Sequence, residues 1–421
     1  MKTYTTYIDD QGHLILPPDV VQQLGLTPGT KVTLDENENS FSVARPITSL
    51  KRVYVEVTNL CNLNCATCMR NDWDVEFGRM SLESFERILE GVLAFSPKPE
   101  IFFGGYGEPF SHPDCLSMIE KAKSMGLRVS LITNGILLNE EISRQLLDLK
   151  LDMLWVSLDG ASSECYADIR LGNELPGIIE NLKYLRSLRL SAYGSSLSWS
   201  GYPRLGIAFV AMKRNIHDLN EVIKLGTKLG AVEFSVSNVL AHNQQLRGEN
   251  LYLRSINQVA SRHALQWKPL VHLPRMDVDD YTTKAITTLL KSTNQLEFFG
   301  SKLNKNEDRC PFVERGSLSV RWDGKVSPCL PLLYTHTYFL NDRERSSQAH
   351  FVGDIKEQRL PEIWGNPVYN DLRERLQSFD FSPCIFCNSC DMANNNLEDC
   401  YGNTIPACGG CLWAQGLIRC P

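Results

Sequence analysis

Six apolar strand patterns alternate with five helical patterns between about residues 50 and 240, and this alternation narrows the fold of the 421-residue chain more than any other feature. The strand patterns lie at 53–58, 100–103, 128–133, 153–158, 205–211 and 232–237. The helical ones lie at 81–95, 113–125, 140–149, 177–188 and 218–229. A strand followed by a helix returns to a parallel neighbour through a right-handed crossover. Six such units predict an α/β fold, a parallel sheet curved into a partial (β/α)6 barrel. All strand C-termini then reach one rim, where barrel active sites are built. Ser81 and Asp218 stand at N-cap positions, and Asp218 with Glu221 spells a pair resembling a capping box.

The barrel, taken as residues 48–240, leaves long flanks, so further domains are expected. Residues 1–47 read as a small β-rich unit. It has strands at 4–8 and 13–16 around Asp9-Asp10-Gln11-Gly12, a helix opened by Pro17-Pro18-Asp19 and stopped by Gly25, and strands at 31–34 and 40–44. Residues 241–305 read as a bridging insertion with candidate helices at 251–264 and 282–291. From 306 to 421 regular periodicity fades and cysteine dominates, as in a small domain held by metal. The formal net charge of −6 and the lack of a long basic run argue against wholesale nucleic-acid binding. The polar start has no secretory h-region, and no apolar stretch nears the roughly 20 residues of a membrane span, so a cytoplasmic protein without a membrane partner is expected.

Fourteen cysteines in a reducing compartment point to metal or redox chemistry rather than disulfides. Cys115 and Cys165 stand apart and read as structural thiols. The segment VEVTNLCNLNCATCMR sets Cys61, Cys65 and Cys68 directly after the first strand. Such close spacing lets one loop wrap one cluster, and thiolates are the soft ligands that iron–sulfur clusters use. Three protein ligands on four irons leave one iron open to chelate a substrate, much as a catalytic zinc keeps one position free. A zinc knuckle is the competing use of such a triad.

With that triad the chain resembles the radical S-adenosylmethionine (SAM) superfamily. The resemblance implies a TIM-like barrel and a [4Fe–4S] cluster on Cys61, Cys65 and Cys68. Its open iron binds the SAM amino and carboxylate groups, and reduction yields a 5′-deoxyadenosyl radical. It also implies an electron donor, ferredoxin or flavodoxin. Three more motifs fall at strand ends in the expected order. FFGGYGEP resembles the family's GGEP, so Gly105, Gly107, Glu108 and Pro109 are expected at the SAM amino group, with the glycines allowing close backbone approach. LITNG offers Asn134 to the ribose, and VSLDG offers Ser157 and Asp159 to polar groups of SAM. Arg170, in YADIR, resembles a family arginine near the SAM carboxylate. The sequence departs from the family at Ala66, where an aromatic residue usually follows the second cysteine.

Nine cysteines fill the tail: Cys310, Cys329, Cys384, Cys387, Cys390, Cys400, Cys408, Cys411 and Cys420. Cys310 followed by RWDGKVSPC, with a hairpin turn at Trp322-Asp323-Gly324-Lys325 presenting Cys329, resembles the opening of a SPASM domain. That domain carries auxiliary [4Fe–4S] clusters in peptide- and protein-modifying radical enzymes, so one or two such clusters are implied. Zinc ribbons use the same Cys-x2-Cys pairs, so zinc stays open as the tail's metal, and the spacing assigns no ligand to a particular cluster.

The segment QGHLILPPDVVQQLGLTPGTKVTL resembles an AbrB-like swapped-hairpin domain. Together with FGGYGEP and the ending NTIPACGGCLWAQGLIRCP, it makes the chain similar to the radical SAM maturases of tungsten-dependent aldehyde oxidoreductases. The implied partner is such an oxidoreductase or its tungsten–pterin cofactor; a peptide substrate is the alternative. AbrB-like folds often bind DNA, but the head's bases are Lys2, Lys31 and Arg45 against Asp9, Asp10, Asp19, Asp35, Glu36 and Glu38. An acidic face repels phosphate, so homodimerisation or partner docking is the expected use of the head.

Overall fold

The computed structural model describes residues 4–26, 29–30, 32, 34–37, 40–43, 46–73, 75–170, 172–194, 201–253, 270–273, 281, 284, 295–298, 301–302, 309–340, 343–385, 387 and 390–421. The head holds helix α1 (Pro18–Leu24), ended by Gly25 in the left-handed conformation that glycine adopts without strain. A hairpin follows, β1 (Leu34–Asn37) against β2 (Ser40–Val43). The expected early strands amount to one antiparallel bridge, Ile8 to Leu14.

Strands β3 (Arg52–Val55), β4 (Glu100–Phe103), β5 (Val129–Thr133), β6 (Met153–Ser157), β7 (Arg204–Ala211) and β8 (Ala231–Asn238) run parallel in chain order, as the alternation requires. Their outer side chains pack under α2 (Leu82–Val92), α3 (Cys115–Ser124), α4 (Glu140–Asp148), α5 (Ser163–Arg170), α6 (Leu175–Tyr193) and α7 (Leu219–Lys228). The period-two rule divides β3 cleanly: Val53 and Val55 join the core beneath the helices, while Tyr54 turns inward to Phe102, Met153 and Trp155. Ser81 caps α2 by accepting from Ser84 N at 3.1 Å. Asp218 does not cap α7: its carboxylate accepts from Ala161 N at 2.6 Å, and a 3-10 turn precedes the helix instead. A closer tertiary donor took the oxygen that the local pattern assigned to the cap.

Beyond the barrel lie α8 (Gln244–Arg247) and a small sheet of β9 (Leu270–Leu273), β10 (Gln295–Phe298) and β11 (Ser301–Lys302). The helices expected at 251–264 and 282–291 lie almost wholly outside the described residues. Helix α9 (Pro311–Arg315) then leads into β12 (Ser317–Val320), which pairs parallel to β3. β13 (Lys325–Ser327) closes the expected hairpin over Gly324. The hairpin β14 (His336–Leu340) and β15 (Arg343–Ser347) stands apart, while β16 (Gly353–Asp354) pairs with β13. Among the described residues the main sheet thus has nine strands, with β12, β13 and β16 of the tail continuing it beside β3. Helices α10 (Leu360–Trp364) and α11 (Pro367–Ser378) follow. The buried Arg373 on α11 stacks on Trp364 and donates to Ile47 O at 3.0 Å, tying the tail to the link from the head. No described helix is long and apolar enough to cross a membrane.

Candidate functional site

The triad lies on a loop held by its neighbours rather than by regular structure. Buried Arg70 donates to the carbonyls of Asn59 and Leu63, and Asn71 Nδ2 donates to Cys65 O at 2.9 Å. Ala66 supplies no ring, but its N–H donates to Ile169 O at 2.9 Å and ties the loop to the end of α5. Cys61, Cys65 and Cys68 line one cavity of about 330 Å³ at the C-terminal rim of the barrel. Gly105, Gly107, Glu108, Asn134, Ser157 and Arg170 line it too.

Burial pushes Glu108 up to about 7, although Asn134 N, Thr133 Oγ1 and Phe110 N all donate to its carboxylate and pull it down. A carboxylate in that state gains from a bound cation. Asn134 Nδ2 bonds Asn62 Oδ1 at 2.8 Å beside Cys61. Asp159 is fully buried and does not line the cavity. It accepts from Val210 N at 2.8 Å and pairs with Arg170, whose Nη1 lies 3.6 Å from Cys65 Sγ. Burial alone lowers the pKa of Arg170, but Asp159 and the Cys65 thiol outweigh it and hold the guanidinium charged. Asp159 therefore acts through Arg170.

The two glycines that line the cavity also make room within the chain itself. A Cβ on Gly105 would stand 2.5 Å from Glu56 Cγ, and one on Gly107 would stand 2.2 Å from Thr58 O. Both permit close approach of the chain to itself, which seats the Glu108 turn. Pro109 is buried and opens the 3-10 turn behind Glu108, away from the cavity lining.

Two sets of neighbours had no signal in the sequence. Tyr106 lines the cavity, packs edge-on against Trp73 and lies above buried Glu56, which accepts from Tyr106 N and the Tyr334 hydroxyl. Burial pushes Glu56 up to about 7. The end of the tail also enters the cavity: Trp413, Ile418, Arg419, Cys420 and Pro421 line it. Leu417 O accepts from Asn238 Nδ2 and Arg419 N donates to Ser237 Oγ, so the tail is tied to the C-terminal end of β8.

The remaining tail cysteines fall into two places. Cys310, Cys329, Cys408 and Cys411 line one cavity of about 70 Å³. Burial raises all four thiols, Cys310 to about 12. Cys384, Cys387 and Cys390 sit on a loop pinned from β15: Arg345 donates to Cys384 O at 3.0 Å and Arg343 to Cys390 O at 2.6 Å. Burial raises the Cys384 thiol, the Ser382 hydroxyl bonded to it lowers it, and Asp399, Cys387 and exposed Cys400 nearby raise it further. Cys115 is buried, whereas Cys165 is only half-buried. Among the described residues no three His, Cys, Asp or Glu side chains converge on a single metal ion. Soft thiols that burial keeps protonated until a metal group displaces the proton fit iron–sulfur ligation.

The radical SAM superfamily profile matches residues 55–202, and the SPASM profile, an iron–sulfur cluster-binding domain, matches 310–391. The AdoMet-dependent heme synthase of Methanosarcina barkeri is 30% identical over 331 residues, 76% of this chain and 83% of that protein. The chain belongs to the radical SAM superfamily. As a radical SAM enzyme with a SPASM domain it uses a [4Fe–4S] cluster and SAM, and the SPASM domain binds auxiliary iron–sulfur clusters. The tungsten-containing aldehyde ferredoxin oxidoreductase cofactor-modifying protein of Pyrococcus furiosus is 28% identical over 376 residues, 88% of this chain and 97% of that protein. The solved structure of Streptococcus suis SuiB superposes at a TM-score of 0.50 with 16% identity, over 81% of this chain and 71% of that one, a likeness of fold alone.

Proposed function

We propose that this radical SAM enzyme matures a tungsten-dependent aldehyde oxidoreductase, acting on its tungsten–pterin cofactor or on the host polypeptide. The carrying observation is the match to the Pyrococcus furiosus cofactor-modifying protein over 97% of that protein's length. A cluster with SAM, once bound, supplies a 5′-deoxyadenosyl radical that abstracts hydrogen from the target. Cys61, Cys65 and Cys68 are the cluster ligands in this reading. Glu108 takes the SAM ammonium, which relieves its buried charge; Arg170, held by Asp159, takes the carboxylate; Asn134 and Ser157 meet the remaining polar groups. Cys310, Cys329, Cys408 and Cys411 hold one auxiliary cluster, and Cys384, Cys387, Cys390 and Cys400 the other. That leaves Cys420 at the cavity, outside both sets.

The head, in this reading, is an AbrB-like module that pairs two copies or docks the target. A chain starting at Ser49 should then lose that association yet cleave SAM normally. The maturation role is tested by deleting the gene in its host and purifying the tungstoenzyme. We expect inactive enzyme lacking a modification visible by mass spectrometry. A fully active, chemically identical tungstoenzyme would overturn the role and favour a peptide substrate.

A further inference from the structure

Among the described residues four cysteines line the SAM cavity, and the triad accounts for three of them. The fourth, Cys420, arrives from the far end of the sequence. It does not line the cavity shared by Cys310, Cys329, Cys408 and Cys411.

The backbone around Cys420 is clamped on both sides. Just before it, Arg419 N donates to Ser237 Oγ at 3.0 Å, at the end of β8. Its own carbonyl accepts from Arg315 Nη2 at 3.1 Å. Just after it, the Pro421 carbonyl accepts from Arg52 Nη1 at 2.9 Å and from Tyr54 Oη at 3.1 Å. The Cys420 side chain packs in the barrel interior with Tyr54, Phe102 and Trp413, which line the same cavity. The triad is close by. Burial first, then Cys420, Glu56, Cys329 and Cys68 as neighbouring charges, raise the Tyr106 hydroxyl, so Cys420 and Cys68 both neighbour that side chain.

A thiol that ligates no metal keeps its hydrogen near neutral pH, since its ordinary pKa is about 8.5. An S–H bond is weaker than an aliphatic C–H bond, so a carbon radical takes hydrogen from a thiol downhill. Cys420 is only half-buried, so its hydrogen can be renewed from solvent.

We propose that Cys420 is the hydrogen-atom donor of the SAM cavity, quenching the carbon radical that forms there. Once hydrogen has been abstracted from a target C–H bond, the Cys420 S–H bond breaks as a new C–H bond forms at the radical carbon. The thiyl radical left on Cys420 returns to the thiol with one proton from solvent and one electron. That electron comes from the same one-electron donor that reduces the cluster on the triad. The target therefore leaves with a solvent-derived hydrogen and no net oxidation. This inference rests on the assignment of Cys61, Cys65 and Cys68 to SAM cleavage.

With no target present, the first carbon radical in the cavity is the 5′-deoxyadenosyl radical itself, and this supplies the test. Reconstituted full-length protein is given SAM in D2O, with titanium(III) citrate as reductant and no added thiol, and the 5′-deoxyadenosine is analysed by mass spectrometry. One deuterium at the 5′ carbon is expected. Cys420→Ser, close in size but with a stronger O–H bond, should lose that label while keeping the iron and sulfide of the parent protein. Tyr106→Phe removes a second exchangeable hydrogen at the cavity and should keep the label. Unlabelled product from the parent protein would overturn the proposal, as would label that persists in Cys420→Ser or is lost in Tyr106→Phe. Iron and sulfide lost in Cys420→Ser would also overturn it and make Cys420 a cluster ligand. A parent protein that forms no 5′-deoxyadenosine would instead fail the assignment of the triad, and the proposal with it.

Discussion

The two cysteine-bearing regions reach similar chemistry by opposite routes. Cys61, Cys65 and Cys68 lie within eight residues of chain, so one loop carries the whole set and needs only anchoring by Arg70 and Asn71. The cavity shared by Cys310, Cys329, Cys408 and Cys411 gathers residues separated by up to about a hundred positions. It exists only because β12 joins the barrel sheet and the chain returns past the β14–β15 hairpin. A loop-encoded site tolerates change in the rest of the fold, whereas a site gathered from distant segments depends on every segment that delivers a ligand. The loss of SAM cleavage on substitution, ranked from complete to negligible, should separate the two.

Replacing Cys61, Cys65 and Cys68 together with Ala should abolish reductive cleavage of SAM to 5′-deoxyadenosine, read by chromatography of the anaerobic reaction. The triple variant should keep the iron and sulfide of the tail, roughly eight of each if two auxiliary clusters are present. Cleavage persisting in that variant would show that the SAM cluster is held elsewhere than on this loop.

Arg170→Ala should raise the KM for SAM roughly tenfold to a hundredfold, since it removes charged hydrogen bonds in a buried setting. Asp159→Asn should move KM in the same direction without touching the cavity, and Arg170→Lys should recover part of the loss. A fall in kcat with KM unchanged would show that the pair shapes the loop rather than holding SAM.

If Glu108 takes the SAM ammonium as proposed, SAM binding should depend on pH. The Glu108 carboxyl sits at about 7 before a cation arrives, so it is increasingly protonated below that value, and SAM affinity should fall by up to about tenfold per pH unit. Glu108→Gln should bind more weakly but with a flat profile from pH 6 to pH 8, where calorimetry can follow it. Stability carries the matching sign. Glu56 and Glu108 are raised from an ordinary 4.5 to about 7, so the folded chain binds more protons than the unfolded one between those values. Stability of the cofactor-free chain should therefore fall as pH rises through that window and level off above it, by up to about 3 kcal/mol per group. Urea midpoints that rise with pH there would contradict the burial of both carboxyls.

The smallest effect on SAM cleavage is expected from the tail. Changing Cys310, Cys329, Cys408 and Cys411 to Ala should remove about four irons and four sulfides, yet alter substrate-free cleavage by less than about threefold. Modification of the physiological target should be lost. Zinc without sulfide in the triad-free protein would instead make the tail a zinc domain.

The sequence by itself determined what local chemistry determines. Parallel strands followed from alternation, because a crossover helix leaves few other arrangements. The triad, Glu108 and Asn134 were legible because each sits at a strand end, and strand ends converge on one rim whatever the details of packing. Ser81 was legible as a cap because its partner is three residues away. Only the tertiary structure decided the rest. Asp218 gave its carboxylate to Ala161, 57 residues distant, over the cap its own pattern offered. Asp159, expected at SAM, went beneath Arg170; Gly105 and Gly107 made room for Glu56 and Thr58. The lining of the cavity by Tyr106, Trp413 and Cys420, and the gathering of four tail cysteines, depend on which chain segments meet. Periodicity and spacing carry information over a few residues, whereas burial and long-range hydrogen bonding are settled only when distant segments compete for the same space.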